Sequence, residues 1–152
     1  MNGTCGWIGL SAVVLALTAG AVGCGQKSHV KKGKVIDVLN QEPAKRKYIE
    51  AIGIGAADPS LTSNTQRRAL SRDAGIVKAQ YEMLSMVKGV ELEGGITVSR
   101  AIEVDSALEA RLKEVIKGAE IIKTEYTSDD GAVVTLRLPK KRLEKMMGVK
   151  FK

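Results

Sequence analysis

Histidine, cysteine and aromatic side chains are all scarce in this 152-residue sequence, and each shortage excludes something. The one histidine, His29, has no second imidazole to share a metal ion with and sits in a lysine-rich stretch. A Ser-His-Asp triad and a multi-histidine metal site are therefore not expected. The two cysteines, Cys5 and Cys24, both lie near the start, and the 128 residues after Cys24 carry no thiol. Disulfides and cysteine-ligated metals are thereby excluded from the remainder. Only Trp7, Tyr48, Tyr81, Tyr126 and Phe151 are aromatic, so a core must be built from Ala, Val, Ile, Leu and Met. With 44% hydrophobic and 27% charged residues, the composition is still that of a globular protein.

The net charge of +7 is confined to two segments. Residues 27–47 carry seven Lys/Arg against Asp37 and Glu42, and residues 137–152 carry seven against Glu144. The body between them, 48–136, is acidic at −4, with ten basic and fourteen acidic residues. Lys31, Lys32 and Lys34 in the first segment, and Lys140, Lys141, Arg142 and Lys145 in the second, are candidate contacts to an anionic surface such as phospholipid or cell-wall carboxylates. No zinc-finger spacing or aromatic-bearing RNA-binding motif accompanies this charge, so nucleic acid is not an expected partner.

Sixteen residues from Trp7 to Val22 carry no charge. A bilayer-spanning helix needs about 20 apolar residues. This run is shorter, is diluted by Gly and Thr, and is followed by small residues, as in a secretory signal peptide. MNGTCG holds no Lys or Arg, so the amino terminus alone supplies the leading positive charge. Two cleavage readings compete. Ala19-Gly20-Ala21 satisfies the small-x-small rule of ordinary signal peptidase and would leave Cys24 a free thiol. Ala21-Val22-Gly23-Cys24 instead resembles a bacterial lipobox, with Ala21 where leucine is usual. Cleavage would then fall between Gly23 and Cys24, and Cys24 would carry the acyl chains. Each buried CH₂ contributes about 0.8 kcal/mol, so three chains make release negligible. Gly25 rather than Asp follows Cys24, which by resemblance to enterobacterial sorting favours the outer membrane. The expected layout is a signal peptide over 1–23, a lipidated N-terminus and basic tether over 24–46, a domain over 47–139 and a basic extension over 140–152. A flexible tether of about 22 residues spans some 25 Å.

Within the domain, 48–56 reads as a strand. Ser63 to Gln66 has capping-box spacing, and Leu70, Ala74, Val77, Tyr81 and Leu84 recur at 4, 3, 4, 3 as the inward stripe of a helix running to Lys88, where Gly89 stops it. Residues 90–98 read as an extended segment broken by Gly94-Gly95. Ser106 to Glu109 is a second capping box, opening a helix that turns Leu108, Leu112, Val115 and Ile116 inward and pairs Glu109 with Lys113. Residues 120–127 and 132–138 form a hairpin around Asp129-Asp130-Gly131, with Gly131 suited to a left-handed conformation. The order β-α-β-α-β-β predicts an α+β fold, two helices on one face of a small, mostly antiparallel sheet, with a short C-terminal helix over 140–147.

No catalytic constellation emerges, and no cofactor, metal or small-molecule substrate is expected. Gly53-Ile54-Gly55 follows a strand, but Asp58 and Pro59 break the dinucleotide fingerprint, so close packing or a tight turn explains the glycines better. Glu91/Glu93 and Asp129/Asp130 read as solvated, and Met83, Met86, Met146 and Met147 as core or interface filler.

The segments IGIGAA at 52–57, RRALSRDAGIVKAQYEMLSMVKGV at 67–90, GITVSRAIEVDSALEARLKEVIKGAEIIKTEY at 95–126 and DDGAVVTLRLP at 129–139 together resemble the lipoprotein-20 family of small bacterial envelope lipoproteins, which includes a flagellar assembly lipoprotein. The resemblance implies a non-enzymatic α+β domain displayed from the outer membrane, with Cys24 as its lipid attachment site. It also implies protein partners or self-association, since some members assemble around the flagellar motor and others are surface or periplasmic antigens. The alternative is a periplasmic binding module for peptidoglycan or anionic lipid.

Overall fold

The computed structural model describes residues 28–35 and 47–152. Residues 1–23, expected as a signal peptide, and Cys24 with most of the expected tether lie outside the described residues. Val35 to Leu39, an apolar-rich stretch that reads as a short ordered piece within the tether, lies outside the described residues except for Val35.

A small hairpin comes first: β1 (Val30–Lys31) pairs with β2 (Lys34–Val35). Lys32 (φ 52°) and Gly33 (φ 74°) make its two-residue turn. Positive φ at both central residues is the geometry that matches strand twist in a tight hairpin. The remaining strands, β3 (Tyr48–Gly55), β4 (Glu120–Tyr126) and β5 (Ala132–Pro139), form one antiparallel sheet in the order β3-β5-β4. Tyr48 stands opposite Pro139 and Gly55 opposite Ala132, so the chain's first long strand pairs along its whole length with its last.

The period-2 alternation divides β3 and β5 between two faces. Ile49, Ala51, Gly53 and Gly55 share the inner face with Leu138, Leu136, Val134 and Ala132, all buried. Glu50, Ile52 and Ile54 share the outer face with Arg137, Thr135 and Val133. There Arg137 closes a 2.6 Å ion pair on Glu50 and lies 5.2 Å from the Tyr48 ring centre. In β4 the register shifts between Ile121 and Lys123, leaving Ile122 as an extra residue in a bulge.

Helix α1 (Asn64–Lys88) covers the inner face. It buries Ser71, Gly75, Ala79, Met83 and Val87, a row at every fourth position whose first three members are small. The reason is contact of backbone with backbone. A Cβ on Gly53 would stand 2.1 Å from the Gly75 carbonyl oxygen, and one on Gly55 would stand 1.9 Å from that of Ser71. The expectation of close packing at Gly53 and Gly55 holds. The expected inward stripe does not: Leu70 is 53% exposed, Val77 65% and Tyr81 66%. Larger side chains cannot enter the gap between α1 and β3, so the apolar ridge faces outward and the small residues face the sheet. Leu84 alone of that stripe is partly buried against the core.

Two further helices, α2 (Val98–Val104) and α3 (Ser106–Lys117), follow, and α4 (Lys140–Met147) continues from β5. Leu112, Ile116, Leu143 and Phe151 join Met83, Val87, Val90, Leu92 and Val98 in one core cluster, with Met86, Met146 and Met147 packed against it. The class is α+β with a short C-terminal helix, as expected. One expected element changes: residues 90–98 make only isolated bridges, Glu91 to Thr97 and Leu92 to Phe151, and do not join the sheet. Gly94 (φ 114°) and Gly95 (φ 78°) turn the chain back before a strand can extend, and Val98 already belongs to α2. The segment 140–152 is likewise no appendage, because Leu143 is wholly buried and Phe151 nearly so.

The caps also differ from the sequence reading. Ser63 is the N-cap of α1 but makes no side-chain cap bond. Asp105, one residue before the expected box, caps α3 by accepting the Ala107 N–H at 3.0 Å. Glu109 is thereby left to take Lys113 at 3.3 Å as expected, and Lys88 of α1 at 2.9 Å besides. These two ammonium groups hold its carboxyl below the usual glutamate range.

Candidate functional site

The candidate surfaces divide into three. The first is basic and comes in two parts. Lys31, Lys32 and Lys34 are exposed on the β1–β2 hairpin. The hairpin rests against β4 and the turn that follows it: Glu125 accepts the His29 backbone N–H at 2.9 Å and the Ser28 hydroxyl, and the Ser128 N–H donates to the Gly33 carbonyl at 3.1 Å. His29 was expected in a free tether without a structured partner; it is instead part of this docked piece. Partial burial raises the Glu125 pKa, but Ser28, His29 and Lys123 outweigh it and hold the carboxyl below its ordinary value.

The second basic part is α4. Lys141, Arg142 and Lys145 are exposed, and Lys140 is half-buried with its ammonium 5.5 Å from the Phe151 ring centre. Arg142 donates to the Gly118 carbonyl at 2.9 Å, tying α4 to the end of α3. The hairpin sits at the Ala132 end of β5 and α4 at the Pro139 end. Eight strand residues separate those ends by about 24 Å. The seven basic residues that the sequence singles out therefore form two clusters, not one patch.

The second surface is the turn between β4 and β5, where sequence reasoning missed a constellation. Asp130 is buried there, against the expectation of a solvated carboxylate. Its two oxygens take Arg67 at 2.9 Å and Arg68 at 2.8 Å, and its carbonyl accepts the Ser71 hydroxyl at 2.7 Å. The Arg68 guanidinium lies 5.3 Å from the Tyr126 ring centre. Hydrogen bonds from Arg68 and then Arg67 lower the Asp130 pKa below the ordinary aspartate value. Asp130, not Gly131, takes the left-handed conformation in the turn, at φ 63°. A short polar side chain tolerates that conformation, and here the ion pairs hold it. Beside this latch lies an open cleft of about 460 Å³ lined by Asn64, Thr65, Arg68, Ala69, Arg72, Asp73 and Tyr126. Its charged side chains are already engaged, Arg68 with Asp130 and Asp73 with Arg72. No group of three or more His, Cys, Asp or Glu among the described residues is placed to hold a metal ion.

The third surface is the outward ridge of α1: Leu70, Ala74, Val77 and Tyr81. Polar neighbours border it. Asp73 stands on one side, 3.6 Å from Arg72, and Lys78 on the other, 2.8 Å from Glu82. Three large apolar side chains, each more than half exposed on one helix face, have the character of an interaction surface. No helix among the described residues is long and apolar enough to cross a membrane. No family model, curated protein or solved structure matches this chain.

Proposed function

We propose that this chain is a bacterial envelope lipoprotein: acyl chains on Cys24 hold it to the outer membrane, and its folded part docks other proteins without catalysing a reaction. The observation that carries the reading is the pairing of an uncharged leader ending in Ala21-Val22-Gly23-Cys24 with a domain that turns an apolar helix face to solvent. The lipoprotein-20 resemblance supports a place in an envelope or flagellum-associated assembly. A binder of peptidoglycan or anionic lipid has less support, because the two basic clusters stand at opposite ends of the sheet and present no single anionic-surface footprint.

Metabolic labelling with a radioactive fatty acid tests the anchor. The wild-type chain takes up label and Cys24→Ala does not. An unlabelled wild type, or label that survives Cys24→Ala, rejects the reading.

A further inference from the structure

We infer that the ridge of α1 pairs with the same ridge of a second copy, in parallel and in register. This deepens the docking reading above by naming the partner. One helix carries two seams. The row against the sheet repeats every four residues, at 71, 75, 79, 83 and 87. The ridge repeats at 4, 3, 4, 3, the heptad spacing that places Leu70, Val77 and Leu84 at d and Ala74 and Tyr81 at a. On a 3.6-residue helix the two seams lie on opposite sides, so the ridge from Leu70 to Tyr81 is free to meet a partner while the other seam stays on β3 and Leu84 packs against the core.

The flanking charges choose the partner and its direction. Asp73 falls at g and Lys78 at e, both with exposed side chains. In a parallel pair, a g residue faces the e residue five positions further along the other helix. Asp73 of each copy therefore meets Lys78 of the other, twice by symmetry, and Gln80 meets Ser85 in the same way. In an antiparallel pair e meets e and g meets g, and the two charges stay apart. A two-fold axis along α1 also leaves Ser28, the first described residue, of both copies at the same height. The exposed ridge, Leu70 to Tyr81, is about 18 Å long. A pair built on so short a seam falls below the roughly 1,200 Å² at which stable specific interfaces begin. Association is then weak in free solution and strengthened when two copies share a membrane.

Disulfide trapping in the full chain, in the membranes of the expressing cells, tests the pairing. Ala74→Cys and Val77→Cys each give a disulfide-linked dimer above the wild-type background, which accounts for Cys5 and Cys24, and Arg72→Cys does not. Asp73→Lys or Lys78→Asp alone lowers trapping about tenfold, and the double reversal restores it. The inference is overturned by trapping no greater than wild type, by trapping only in mixtures of the 74 and 77 variants, or by single reversals without effect. If Val77→Glu releases a different protein that wild type retains, and no dimer is trapped, self-pairing fails while the docking reading stands. Loss of fatty-acid label is read separately and bears on the anchor alone.

Discussion

Replacing Gly55 by alanine adds one methyl group where β3 and α1 meet backbone to backbone. The new Cβ would stand 1.9 Å from the Ser71 carbonyl oxygen and 2.6 Å from the Gly75 nitrogen, both in the backbone of α1. No rotamer relieves a clash with backbone, so α1 must move away from β3 by more than an ångström. The row of Ser71, Gly75 and Ala79 against Gly53 and Gly55 then separates as a unit. Overpacking of a well-filled core costs about 1–3 kcal/mol and more where nothing can yield. Here the expected loss is about 3 kcal/mol or more, a large share of a domain stability of about 5–15 kcal/mol. A urea titration followed by far-UV circular dichroism measures it. With a slope of about 1–3 kcal/mol per molar, the midpoint falls by at least about 1 M. Gly89→Ala is the matched control, because its Cβ finds only the Met86 carbonyl oxygen at 3.6 Å and its φ of −81° suits any residue. That variant stays within about 0.5 kcal/mol of wild type. A Gly55→Ala midpoint as close to wild type as the control's would refute the backbone contact between α1 and β3.

Two further outcomes follow from the same packing. Asp130→Asn keeps a side chain that tolerates the left-handed turn but removes the charge facing Arg67 and Arg68. Because the folded-state pKa of Asp130 is depressed, its contribution is complete above the ordinary aspartate pKa of about 4 and is lost as pH falls through the lower folded value. The wild type is therefore more stable than the variant at neutral pH, and the gap narrows in urea midpoints measured from about pH 5 down to about pH 2; a constant gap speaks against the ion pair. Leu143→Ala tests whether 140–152 belongs to the core: full burial predicts a loss of about 2–5 kcal/mol, whereas an extension predicts none.

Several elements were legible from local pattern alone. The extent of α1 from Ser63 to Gly89, the β4–β5 hairpin and the role of Gly53 and Gly55 all rest on neighbours in sequence or on glycine itself. The direction of α1 was not, because hydrophobic periodicity assigns the larger apolar row to the core. A usable signal was present: Ser71, Gly75 and Ala79 at fourth positions match Gly53 and Gly55 two apart, as a helix laid directly on a strand requires. The Asp130 latch joins residues about sixty positions apart, which no local pattern reveals. Helix α2 was hidden because Val90 and the Ile96-Thr97-Val98 run read as β-formers, although Thr97 accepts the Arg100 N–H as an N-cap does. The basic residues of α4 drew attention away from Leu143, whose burial makes the segment part of the fold.

The position of β5 has a consequence for the newborn chain. The central strand is the last strand to leave the ribosome, with only α4 and a few residues behind it, and until it has emerged neither β3 nor β4 has its sheet partner. Pairing β3 with β5 closes the chain across α1, α2, α3 and β4, and such a distant pairing forms slowly. The sheet is therefore assembled only when the chain is almost fully made, with β3 waiting for β5 across most of the domain's length.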